Sequence, residues 1–223
     1  MQAKIQSFGK PPLPRGYTPT HVITKRKCGN KFLLAYIYKA KGREIHHLVF
    51  GSNVHDDISK GNFISEDPEK QKSLDVARNF LLKMPANPIF ETDYKDKNNP
   101  GTYKGKIFNE PFLAIFDTHW VNDRIGVDWK NGVFHEDYKN DYEIKAYILN
   151  ELFNQTHGFP LKDFIFVFLK DGYEYHAECI TDQKAWKRKG NMIKNALDSI
   201  KRLEFEKKVS FSCQWCEFQG MCI

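Results

Sequence analysis

Three of the five cysteines, Cys213, Cys216 and Cys222, form a C-x2-C-x5-C cluster late in the chain. A fourth thiol is needed to complete a set of soft ligands for an iron–sulfur cluster or a tetrahedral zinc, and Cys28 is the best placed to supply it. One shared centre would join two segments far apart in sequence, so the fold has to bring them together. Zinc in the same four thiolates and two disulfides are the alternatives that spacing leaves open. Cys179 remains over and reads as a buried strand residue.

At 223 residues and 41% hydrophobic, the chain can bury one sizeable core. There is no run of eighteen apolar residues, and Gln2 to Arg15 is polar and proline-rich rather than a charged-then-apolar leader. With an odd number of cysteines grouped as ligands, this points to a cytoplasmic protein with no membrane partner. Lys plus Arg exceed Asp plus Glu by 34 to 28, a formal charge of +6 that suits a polyanionic partner without requiring one.

Residues 1–16, with Pro11, Pro12 and Pro14, read as an extended strap, and 17–223 as a single domain. A helix is expected through Phe32 to Ile37 with Cys28 near its beginning, and Ser52 or Asn53 is expected to cap a short helix. Pro68 opens a helix reaching about Met84, with an apolar face of Leu74, Val76, Ala77, Phe80 and Leu81. Residues 85–106 read as a loop. Strands are expected at Pro111 to Phe116, Arg124 to Lys130, Val133 to Lys139, Phe164 to Leu169 and Tyr173 to Ile180, with helices over 141–156 and from Asp182 to about Lys207. The basic residues of that last helix, Lys184 and Arg188 among them, spread over several faces and read as a solvated surface.

Asn131-Gly132 between two alternating segments predicts a hairpin, pairing Lys130 with Val133 and Asp128 with His135. In that register Asp128, His135, Asp137 and Lys139 project from one face, with the two aspartates diagonal neighbours roughly 7 Å apart at the backbone. Two carboxylates can hold Mg²⁺ or Mn²⁺, and a nearby lysine can orient a water, which is the equipment of metal-assisted phosphodiester hydrolysis. A solvated face of mixed charge is the competing reading. Asp117, in Phe116-Asp117-Thr118-His119, is the rival for the first carboxylate.

Asp128 followed by Asp137-Tyr138-Lys139 resembles the split core of the PD-(D/E)XK nucleases, and the surrounding elements resemble the iron–sulfur members of their RecB-like branch, of the CRISPR-associated exonuclease and AddB nuclease-domain type. Gly51 to His55 resembles the branch's Gly-x-x-x-His element, Glu143 to Tyr147 stands where Gln-x-x-x-Tyr would, and the four cysteines match in order and spacing. The resemblance implies an α/β restriction-endonuclease-like core, a mixed central sheet flanked by helices, with a helical iron–sulfur lobe joining the chain ends. It implies metal ligation by His55, Asp128, Asp137 and the Tyr138 carbonyl, with Lys139 assisting the water and Glu143 and Tyr147 near the centre. It further implies a [4Fe-4S] cluster on Cys28, Cys213, Cys216 and Cys222. The expected activity is a deoxyribonuclease, an exonuclease on single-stranded DNA ends in recombination, repair or CRISPR adaptation, a phage setting included, with the proteins of those pathways as partners. A catalytically silent DNA-end-binding subunit is the alternative, because Glu143 replaces the branch's glutamine; a zinc-stabilised interaction protein is a third.

Overall fold

A computed structural model describes residues 13–43, 46–91, 100–210, 213, 214 and 216–222. The expected strap lies outside the described residues as far as residue 12, and Tyr17 then bridges to Phe112.

Pro19–Lys27 (α1) begins with Thr18 accepting from the His21 N–H and with proline at its first position, where no helical partner for an N–H is needed. Cys28 ends this helix and caps the next, Gly29–Phe32 (α2), which runs on as a π-helical turn over Leu33–Ile37. The expected single helix is therefore broken at Cys28. His46–Ser59 (α3) contains Ser52 and Asn53 in its interior, so neither is a cap. Pro68–Leu81 (α4) starts at the expected proline, with Asp67 as N-cap, and buries Leu74, Ala77 and Phe80.

Among the described residues seven strands follow: Ile89–Phe90 (β1), Thr102–Ile107 (β2), Glu110–Ile115 (β3), Thr118–Trp120 (β4), Ile125–Lys130 (β5), Asp163–Phe168 (β6) and Tyr173–His176 (β7). β1 and β2 occupy parts of the expected loop. β2 and β3 form a separate antiparallel pair, and the others form a mixed sheet in the order β1-β4-β5-β6-β7. All its pairings are antiparallel except β5 with β6, where the chain crosses over through Lys139–His157 (α5). Gly158, at φ 80°, ends α5 in the left-handed conformation that glycine adopts at low cost. Glu178–Thr181 (α6) and Gln183–Lys201 (α7) complete the helices, with Cys179 buried in α6 rather than in a strand.

The hairpin expected at Asn131-Gly132 does not form. β5 has Gly126 to Trp129 buried in succession, the pattern of a central strand, and its edges are taken by β4 and β6. The segment after Lys130 instead turns through a 3₁₀ turn at Glu136–Tyr138 into α5.

Alternation along β5 and β6 divides the core. Val127, Trp129, Ile165 and Val167 pack with Val54 and Ile58 of α3 and Leu74, Ala77 and Phe80 of α4. Phe164, Phe166 and Phe168 pack on the other side with Ile144, Ile148 and Leu149 of α5 and Ile193 and Leu197 of α7. Asp128, between Val127 and Trp129, therefore projects toward α5. A methyl at Gly126 would lie 2.6 Å from Phe116 and 2.8 Å from Phe164, so this close approach needs a residue without Cβ. Among the described residues no helix is long and apolar enough to cross a membrane.

Candidate active centre and cysteine cavity

The β4–β5 register pairs Thr118 with Val127, and continuing it by one residue sets Asp117 opposite Asp128. Both are buried, at 8% and 0% exposure. Asp117 Oδ2 accepts from the Trp129 N–H at 2.9 Å and lies 3.4 Å from His55 Nδ1, which α3 brings in from the far side of the sheet. Glu91, just past β1, donates its N–H to the Asp117 carbonyl, and His55, Glu91 and Asp117 place ligand atoms within 4.8 Å of one another. Such a mixed nitrogen and oxygen set suits a divalent ion of the Mg²⁺ or Mn²⁺ class better than it suits a soft metal.

Asp128 faces two ammonium groups. Lys130, two residues along the same strand, contacts Oδ1, and Lys145 of α5 contacts Oδ2 while lying 3.7 Å from Asp117 Oδ1. Each Asp128 oxygen is thus paired with an ammonium group rather than with a backbone donor.

The electrostatics follow from this crowding. Burial pushes the Asp117 carboxyl up, but Lys145, His55 and Lys130, with the Trp129 N–H, outweigh it and hold it below the usual carboxylate range. Burial, seconded by Asp117, pushes Glu91 up to about 7. His55 is pushed down by burial despite Asp117, which keeps its imidazole neutral and available as a ligand.

Asp128-Trp129-Lys130 is thus itself an Asp-x-Lys element, and Asp117, expected to be the rival, joins it. Asp137 and Lys139 stand elsewhere. Asp137 is exposed and lines the cysteine cavity, while Lys139 pairs with Glu178 at 2.6 Å and Glu136 at 3.7 Å. The 3₁₀ turn removes them from the β5 face, and with them the Tyr138 carbonyl; the Tyr138 ring instead carries Lys27 at 4.1 Å. His135 is exposed and edge-on to Tyr138.

Glu143 is also corrected. It is 1% exposed and accepts from Tyr175 Oη and from the N–H groups of Glu178 and Cys179, both at 2.8 Å. It supplies the start of α6 with the acceptor that Ala177, the residue in the capping position, lacks. Tyr147 is buried and stacked on Trp186 with ring centroids 3.9 Å apart, a packing role. Glu91 and Lys145 carried no signal in the sequence. Glu91 comes in on a two-residue strand, and Lys145 on the face of α5 that meets β5.

Cys28, Cys213, Cys216 and Cys222 all line one cavity of about 680 Å³, formed by the α1–α2 joint, the start of α5 and the C-terminal segment. Asn30 Nδ2 donates to Cys222 Sγ at 3.2 Å, the Lys31 N–H to Cys28 Sγ at 3.5 Å and the Ser210 N–H to Cys213 Sγ at 3.3 Å. These donors are suited to thiolates. Gly29 lets the C-terminal segment in, since a Cβ there would lie 2.7 Å from the backbone of Phe205 and Glu206.

No family model matches the chain, and no curated protein matches it. Among solved structures, the fold is similar to that in the crystal structure of SSO0001, with a TM-score of 0.53 and 13% identity over 97% of this chain and 89% of that one. At that identity the likeness is one of fold, and it establishes for this chain a mixed α/β architecture around a five-stranded sheet.

Proposed function

We propose that the chain is a metal-dependent deoxyribonuclease of the PD-(D/E)XK kind, with a restriction-endonuclease-like core and an iron–sulfur lobe. The observation that carries the reading is the meeting of Asp117, Asp128, Lys130 and His55, drawn from β4, β5 and α3, at one end of the sheet. His55, Asp117, Asp128 and Glu91 are the residues that would hold a divalent ion. When bound, the ion supplies polarisation of the phosphate and acidification of a water. Lys130 extends from the strand next to Asp128 and is the group positioned to orient the attacking water and to meet charge that develops on the phosphate. His55, kept neutral, holds Asp117 in place from the α3 side. Lys27, Tyr138, Asp141 and Tyr142 line a cavity of about 260 Å³ that opens from Lys130 and Lys145, with Lys27 paired to Asp141 at 2.6 Å; its lysines and aromatic rings are the groups that would meet a strand's phosphates and bases. Single-stranded DNA ends are the substrate that the family resemblance implies.

For the cysteines the reading is a [4Fe-4S] cluster. The support is that all four thiols line one cavity, in the order and spacing of the resembled branch, and a cluster held there would clamp α1 and α2 to the C-terminal segment.

The test is cleavage of end-labelled single-stranded DNA in Mn²⁺. Asp117→Asn, Asp128→Asn and Lys130→Met are each expected to lose roughly a thousandfold or more in rate, about 4 kcal/mol of transition-state stabilisation. Asp137→Ala and Lys139→Ala should cleave close to the unsubstituted rate. Loss of cleavage in Asp137→Ala with retention in Asp128→Asn would reverse the assignment.

A further inference from the structure

Two carboxylates and two ammonium groups meet at the β4–β5 face, with Glu91 and His55 beside Asp117. Asp117 and Asp128 supply the negative charge, Lys130 and Lys145 the positive. The two lysines are not equivalent. Lys130 contacts Asp128 from the same strand, whereas Lys145 comes from α5, contacts Asp128 and lies 3.7 Å from Asp117 as well. It thus lies where a cation bridging both carboxylates would lie.

A second observation concerns where this side chain can go. Lys145 is 23% exposed and lines the cavity of about 260 Å³ that it shares with Lys27, Lys130, Tyr138 and Tyr142. A long, flexible ammonium side chain beside such a cavity can leave the carboxylates without leaving water or a polar wall. The Asp128 oxygens are each contacted by an ammonium group, Oδ1 by Lys130 and Oδ2 by Lys145, so a divalent ion binding them would replace such a contact.

We propose that Lys145 is a displaceable internal cation: in the metal-free protein its ammonium bridges Asp117 and Asp128, and a divalent ion binds by expelling it into the adjoining cavity, where it meets the substrate phosphate. The proposal rests on the metal-site reading above and adds a consequence to it. Metal affinity is set by competition with a side chain of the protein itself, so the centre stays closed at low divalent-ion concentration. Once expelled, the same charge is available to the strand entering the cavity, coupling metal loading to substrate retention.

The experiment is Mn²⁺ titration of the full chain, followed by calorimetry and by the paramagnetic resonance signal of free Mn²⁺, with no turnover required. Lys145→Met, which keeps the length and removes the charge, should bind Mn²⁺ at least tenfold more tightly, a change of about 1.4 kcal/mol. Lys145→Arg should stay near the unsubstituted affinity, and Asp117→Asn should abolish binding in either background. Should Lys145→Met fail to fold, Lys145→Gln carries the same expectation. If Mn²⁺ binds and Asp117→Asn abolishes it, yet Lys145→Met and Lys145→Gln bind no more tightly than the unsubstituted protein, the displacement proposal is overturned and the metal site stands. If neither the unsubstituted protein nor the Lys145 variants bind Mn²⁺, the metal site itself is overturned, and the proposal with it.

Discussion

Glu143→Gln separates a structural carboxylate from a catalytic one. The native side chain accepts from Tyr175 Oη, the Glu178 N–H and the Cys179 N–H, with 1% of its surface exposed. A glutamine can leave its oxygen with Tyr175 and Glu178, but its NH₂ then faces the Cys179 N–H, two donors in a buried site. An orphaned buried donor costs about 1–3 kcal/mol, and the two surviving hydrogen bonds, no longer charge-assisted, weaken by about 1 kcal/mol each. Relief from burying a carboxylate offsets part of this, leaving a net loss of about 2–4 kcal/mol. For a chain of this size each kcal/mol moves the midpoint about 2–4 °C, so thermal unfolding followed by circular dichroism should show a fall of about 5–15 °C. Cleavage of labelled single-stranded DNA, measured well below that midpoint, should be unchanged. An unshifted melt accompanied by loss of cleavage would refute the reasoning and return Glu143 to the reacting centre.

The cysteine cavity makes a second expectation: Cys28→Ser, Cys213→Ser, Cys216→Ser and Cys222→Ser should each lose the visible absorbance of anaerobically purified protein and lower its midpoint, while Cys179→Ser keeps the absorbance. Retention of full metal content by Cys28→Ser would remove the clamp. Glu91 gives a pH signature in the metal-free protein. Its folded pKa of about 7 lies above the ordinary carboxylate value of 4.5, so the fold favours its protonated form, and stability should decline as pH rises from about 4.5 to about 7. Urea unfolding in the presence of a chelator should show this decline diminished in Glu91→Gln; parallel profiles would contradict it.

Much of the scaffold was legible because its signals are local. The apolar run Phe164 to Leu169 matches β6 to within a residue, Pro68 marks the start of α4, and the helices at 139–157 and 183–201 begin close to where they were expected, though the second ends at Lys201, short of the expected Lys207. The candidate centre was legible only in part. Asp128 and His55 could be singled out, but the chain holds four Asp-x-Lys elements, at 93–95, 128–130, 137–139 and 182–184, which local pattern cannot rank. What decides between them is that β5 has neighbours on both edges, a tertiary fact that overrode the hairpin signal of Asn131-Gly132. Glu143 looked catalytic because it stands where the resembled branch has its glutamine, but the face it occupies points at α6. The partners of Lys145 and Glu91 come from distant segments, and nothing adjacent in sequence announces them.

The cysteine cavity also bears on the order in which the molecule is made. Asn30 and Cys222, hydrogen-bonded across it, are 192 positions apart. The α1–α2 joint therefore emerges from the ribosome long before its partner segment exists, and must wait while every strand of the sheet is synthesised. Closing so long a loop late costs little more entropy than closing one half its length, since each doubling adds only about 0.6 kcal/mol. What the separation changes is timing: the Cys28 side of the cavity is made long before the Cys222 side, and the cavity can close only after the intervening sheet has been synthesised.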